Sequence, residues 1–134
     1  MGYFIIKAKL PSLNEYIRAC RANRYAGAKF KEEIEELIGW SIKQAQAAGK
    51  LPPMGDTPCR IYIDWHEKTK RRDVDNIQSA QKFILDALQT YGVLKNDSRK
   101  YVKQIYHTVN DATADYVVVR IESYESNRDK IELE

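Results

Sequence analysis

The segment from Lys68 to Asp97 carries the residues most able to do chemistry. Four bases, Lys68, Lys70, Arg71 and Arg72, stand directly before two carboxylates, Asp73 and Asp75, spaced i, i+2. An EF-hand calcium loop would place an oxygen ligand at its fifth position and glycine at its sixth; Ile77 and Gln78 stand there, so that motif is excluded. The remaining metal chemistry is that of a hard cation such as Mg²⁺, which takes one or two carboxylates and leaves its other positions to water and phosphate oxygens. The alternative is that Asp73 and Asp75 cap a helix and neutralise the bases before them, and a D-x-D pair alone does not decide between the two. A third acid, Asp97, could join them if the chain returned past the start of the intervening helix.

That helix shows in Ile77, Ala80, Ile84, Leu88 and Tyr91, which share one face until Gly92, with Asp75 or Asn76 suited to cap it. Its polar stripe, Asp75, Ser79, Lys82 and Asp86, runs at four, three and four, so Lys82 either reaches toward the carboxylates or pairs with Asp86 for about 0.3 kcal/mol. A cation in the first role would stabilise charge growing on a phosphate.

Other elements frame this segment. Residues 3–10 alternate and meet Pro11, which predicts a strand and a turn. Ser12 to Ala28 reads equally as loop or short helix. From Lys29 to Ala48, Phe30, Ile34, Leu37, Ile38, Ile42 and Ala45 recur at three and four before Gly49, which predicts an amphipathic helix. Arg60 to Glu67 alternates with Ile61, Ile63 and Trp65 on one face, a second strand. A strand, helix, strand order of this length suits a right-handed crossover with the two strands parallel. Tyr101–Val109 and Asp115–Ser123 are β-rich and flank NDATA, which predicts an antiparallel hairpin. The expected fold is α/β: a single two-layer domain, residues 1–124, with a mixed four-stranded sheet and two main helices, followed by a charged tail, 125–134.

The 134 residues are 43% hydrophobic and 31% charged, and no window approaches the apolar length of a membrane span. The N-terminus lacks the features of a signal peptide, so a cytoplasmic location is expected. Cys20 and Cys59 form no paired motif, and buried thiols are expected. His66 and His107 have no partner at ligand spacing. The net charge is +3, yet residues 122–134 contribute −3, which leaves +6 on the rest and favours an anionic partner.

The run RRDVDNIQSAQKFILDALQTYGVLKNDSRKYV resembles the defining segment of the RusA family of crossover-junction endodeoxyribonucleases of bacteria and their phages. The shared pattern is R-R-D-x-D-N, a helix ending in D-A-L, and a loop ending in Asp; PSLNEYIR is similar to the family's N-terminal segment. The resemblance implies that Asp73, Asp75 and Asp97 are the catalytic, metal-binding aspartates and that Asn76 matches the family asparagine. It also implies dependence on Mg²⁺ or Mn²⁺ and a homodimer that cuts four-way or other branched DNA. Two departures stand out. The family lysine falls at Ser79 counted from the second aspartate and at Lys82 counted back from D-A-L, and Asn96 stands where some relatives carry an acid. Lys70, Arg71 and Arg72, with Arg18, Arg21 and Arg24, are the candidate phosphate contacts. Tyr16, Tyr25, Phe30 and Trp65 could stack on unpaired bases but fit core positions as well. Loss of metal geometry would leave a non-catalytic branched-DNA-binding protein.

Overall fold

Alternation of apolar side chains builds a sheet whose order is β1-β4-β2-β3 in the computed structural model, which describes residues 1–124. In β1 (Gly2–Ile6), Phe4 and Ile6 point into the core and Tyr3 and Ile5 away, and the strand stops four residues before the expected Leu10. Strand β2 (Cys59–Glu67) lies inside the sheet and is buried at every second position, through Ile61, Ile63 and Trp65. It pairs in parallel with β3 (Val102–Asp111) and antiparallel with β4 (Tyr116–Ser123), and β4 pairs antiparallel with β1. Strands β1 and β2 are therefore parallel, as expected, with β4 between them.

The expected hairpin is corrected. Strands β3 and β4 run in opposite directions but do not pair, because β2 is inserted between them. Their connection crosses the C-terminal end of β2, where Ala112 N–H donates to the Glu67 carbonyl (3.0 Å) and the Asp115 carboxylate accepts from Lys68 N–H (2.7 Å). Alternation sets which face of a strand is buried; it does not name the strand's neighbour.

The helices begin earlier than their apolar stripes suggest. The segment read as loop or short helix is α1 (Leu13–Ala22), opened by a capping box: Ser12 Oγ accepts from Glu15 N–H (3.2 Å) and Glu15 Oε2 accepts from Ser12 N–H (3.1 Å). Asn23 Oδ1 accepts from Ala26 N–H (2.7 Å) and starts α2 (Arg24–Ala47). Ile34, Ile38, Ile42 and Ala45 bury one stripe of α2 against the sheet, while Leu37, expected on that face, is exposed, and so is Trp40. Tyr16 of α1 packs against Phe30 of α2. Cys59 is buried and burial pushes its thiol up to about 11; Cys20, expected to be buried, is exposed.

The predicted second helix is broken. A five-residue α3 (Val74–Gln78) is followed at Ser79 and Ala80 by a turn, then by α4 (Gln81–Thr90). Ser79 Oγ donates to the Asn76 carbonyl (2.6 Å) and accepts from Leu13 N–H (3.0 Å). Its side chain thus takes up backbone groups that would otherwise favour a continuous helix, and ties the start of α1 to the break. Ile77, Phe83, Ile84 and Leu88 carry α3 and α4 into the core. Among the described residues no helix is long and apolar enough to cross a membrane. The expectation for a charged tail falls on residues outside the described range.

His107 on β3 joins α4 to the sheet. Trp65 Nε1–H can only donate, so His107 Nδ1 accepts (2.9 Å), and the Nε2–H that remains donates to Gln81 Oε1 (2.8 Å). Burial lowers the pKa of His107, which keeps the ring neutral in the fold. Because the folded pKa lies below the unfolded one, this contribution to stability is present above about pH 6.5 and is lost as pH falls further. Thermal unfolding at pH 7.5 and pH 5 should show a smaller acid-induced loss in His107→Gln than in the wild type. Equal losses would mean that His107 is not the group responsible.

Candidate active site

Strand β2 ends at Glu67, and the chain then carries the bases and carboxylates across the upper edge of the sheet. Glu67 is buried, and Arg72 meets it as a two-pronged pair: Nε donates to Oε1 and Nη2 to Oε2, both at 2.9 Å. A third bond, from Nη1 to the Leu10 carbonyl at 3.0 Å, ties the loop to the segment before α1. The side chains of Arg72 and Glu67 are only 12% and 5% exposed, so Arg72 is a structural clamp. Three of its five N–H donors are committed to the Glu67 carboxylate and the Leu10 carbonyl, so Arg72 is less available to a phosphate than the exposed bases beside it.

Pinned at Arg72 and anchored again by buried Ile77, the chain presents Asp73 and Asp75 to solvent. Asp73 occupies the N-cap position of α3, yet its side chain makes no capping bond. Neither carboxylate has a hydrogen bond or ion pair within the described residues, so the capping alternative is not realised and four oxygens remain available. A carboxylate pair of this kind, open to water, fits a hard divalent cation.

The bases around them differ in availability. Arg71 is exposed, and Lys70 makes only a loose, exposed contact with Asp111 (3.7 Å). Arg18 and Arg21 on α1 and Arg24 at the start of α2 are exposed, and the bond from Leu13 to Ser79 brings the N-terminal end of α1 to the α3–α4 break. Lys82, in the first turn of α4, pairs with Asp86 at 3.6 Å and stays 61% exposed. The break at Ser79 and Ala80 means that Asp75 and Lys82 do not lie on one continuous helix, and Ser79 is committed to backbone groups.

Asp97 is not beside the other two carboxylates. It follows α4 in the loop leading to the start of β3, at the end of the sheet where Cys59 pairs with Val102; Lys95 there pairs with Asp56 (2.5 Å), which holds the lysine's pKa up and the aspartate's down. Asp73 and Asp75 lie at the opposite end, and the separation is on the order of the length of a nine-residue strand, roughly 25 Å. Among the described residues no group of three or more His, Cys, Asp or Glu could hold a metal ion. The expected gathering of Asp73, Asp75 and Asp97 within one chain is therefore corrected. The reason is topological: α4 leads away from Asp75, and β3, parallel to β2, must begin at the far end.

Sequence reasoning passed over Glu67 and saw Ser79 only as a departure from the family lysine, not as the tie between α1 and the helix break. The signal for Ser79 was weak, since it looked like a displaced lysine; that for Glu67 was an acid at a buried alternating position of β2, which demands a buried cation.

The α/β domain thus presents an uncommitted carboxylate pair and exposed bases at one end of its sheet. The family model for endodeoxyribonuclease RusA matches residues 3–122, and the chain belongs to that family. A comparison with individual curated proteins returns no significant match.

Removing one partner of the clamp would strand a buried charge. Arg72→Met should destabilise the fold by about 3–5 kcal/mol in urea unfolding, and Arg72→Met with Glu67→Leu should recover most of that loss. A loss below about 1 kcal/mol in the single variant would contradict the clamp.

Proposed function

We propose that the protein is a metal-dependent endonuclease that resolves Holliday junctions and related branched DNA by paired, symmetric cleavage of phosphodiester bonds, acting as a homodimer. The observation that carries this reading is the pair Asp73 and Asp75: exposed, free of internal partners and set on a clamped loop, in a chain of the endodeoxyribonuclease RusA family. They would hold Mg²⁺ or Mn²⁺. Such an ion supplies two things when bound: it polarises a phosphoryl oxygen and lowers the pKa of a water toward neutrality.

The chain's own residues do the rest. Asp73 and Asp75 fix the position at which a phosphate can be attacked, and the Glu67–Arg72 clamp keeps their backbone in place without costly reordering on binding. Arg71 and Lys70 neutralise flanking phosphates, and α1, with Arg18 and Arg21, offers further contacts for an adjoining strand. Lys82 is close enough in sequence to assist only if it leaves Asp86, an exposed contact of small energetic value.

If Asp97 serves the same metal, it must come from a second copy, because its own chain holds it at the far end of the sheet. A twofold axis across the strands would bring the far end of one copy to the near end of the other. It would also supply two equivalent sites for two symmetric cuts. That no group of three such ligands is found among the described residues favours a second reading, a protein that binds branched DNA without cutting it.

Incubation with a labelled four-way junction separates the two. Paired nicks in Mg²⁺, none in EDTA, and a fall of about 100-fold or more in Asp75→Asn are expected for the nuclease. Binding without nicks in either Mg²⁺ or Mn²⁺ would leave the non-catalytic reading.

A further inference from the structure

The end of the sheet that holds Asp97 carries a charge pattern to which nothing above gives a role. Arg99, Lys100 and Lys103 fall within five residues, all exposed, and none makes an ion pair among the described residues. Elsewhere on the surface Lys31, Lys70 and Lys82 each have an acidic partner, and Lys95 in the same loop pairs with Asp56. Three like charges within five residues repel one another, an effect that Asp97 in the same loop and Asp56, whose carboxylate feels Lys100, offset only in part, and an arriving anion relieves the rest.

The backbone presents these side chains in a defined way. Asn96 Oδ1 accepts from Ser98 N–H (2.9 Å), and the Ser98 carbonyl accepts from both Tyr101 N–H (3.0 Å) and Val102 N–H (2.9 Å). Two consecutive turns thus fix the loop between α4 and β3, and buried Tyr101 anchors its end. The β2–β3 register then slips: Cys59 faces Val102 while Arg60 faces Gln104, so Lys103 is an extra residue on the edge strand. A bulge of this kind leaves its residue out of the ladder and re-aims the side chain. Together Arg99, Lys100, Val102 and Lys103 line an open cleft of about 400 Å³.

We propose that Arg99, Lys100 and Lys103 form a second binding surface, for the phosphate backbone of a DNA arm. This rests on the nuclease reading and adds a contact surface to it. Carboxylates and bases occupy both ends of the sheet, and a twofold dimer would present the cleft twice, once for each cut strand. Because Asp97 lies in the same loop, the bases hold phosphates close to the one being cut if Asp97 serves the partner's metal. Phosphate contacts of this type position DNA without reading its sequence, so binding here is indifferent to base composition.

The test is titration of the full chain against a four-way junction built from synthetic oligonucleotides, in EDTA to prevent cutting, at several salt concentrations. The triple variant Arg99→Gln, Lys100→Gln, Lys103→Gln should bind at least about tenfold more weakly than wild type near 0.1 M salt, and the slope of log affinity against log salt should shrink by about 2 to 3. A control with Lys29→Gln, Lys31→Gln and Lys43→Gln removes the same charge from α2 and should keep the wild-type slope. An unchanged slope in the first variant, or an equal loss in the control, would overturn the proposal while leaving the nuclease reading intact. Failure of the wild type to bind the junction at all would bring down both. Circular dichroism of each variant guards against loss of fold, since all six side chains are outside the buried core.

Discussion

The parallel pairing of β2 with β3 is the constraint from which the rest of the molecule follows. Two parallel neighbours need a connection that returns the full length of the strands, and α3 with α4 is that connection. Residues just after β2 and residues just before β3 are thereby forced to opposite ends of the sheet. Asp73 and Asp75 belong to the first group and Asp97 to the second. The gap between the two loops is set by the height of the sheet. If the three acids act together, the chain must act as more than one copy.

The upper edge shows how a short loop of opposite charges is kept ordered. Arg72 could have been one more surface base, but buried Glu67 and the Leu10 carbonyl hold its whole fork. Ser79 makes a comparable link between α1 and the helix break. These two ties flank the segment from Asp73 to Ile77, and they leave the aspartates as groups whose charge is not satisfied internally. The lower edge is organised by turns and a bulge, and among the described residues Arg99, Lys100, Lys103 and Asp97 make no ion pair there. Exposed acids and bases thus stand together at both ends of the sheet.

Much of this was legible in the sequence, for reasons that can be named. The alternation in Arg60–Glu67 and the spacing of Ile34, Ile38 and Ile42 mark buried faces directly, and the mixed four-stranded sheet and two main helices follow from them. The start of α1 reads equally as loop or helix in the sequence: the helix buries no residue fully, and its box Ser12-x-x-Glu15 shows only in the hydrogen bonds of the fold. Strand order was not legible: β3 and β4 are separated by a short turn-rich segment that suits a hairpin, and only the tertiary demand for a doubly paired β2 excludes it. The break at Ser79 was hidden because the apolar positions on either side, Ile77 and Ile84, keep a helical spacing across it. The family was legible from its motif, whereas the engagement of Arg72 depended on a contact with Leu10, sixty-two residues away.

A metal site shared between two copies makes a demand that no single-chain site makes, and mixing two inactive variants measures it. Asp75→Asn and Asp97→Asn should each fail to nick a four-way junction in Mg²⁺. Mixed and allowed to exchange subunits, they should regain nicking to about a quarter of the wild-type level, because each mixed dimer of a twofold pair assembles one intact site. A mixture as inactive as its parents, beside a wild type that cuts, would place all the catalytic carboxylates within one chain and contradict the account.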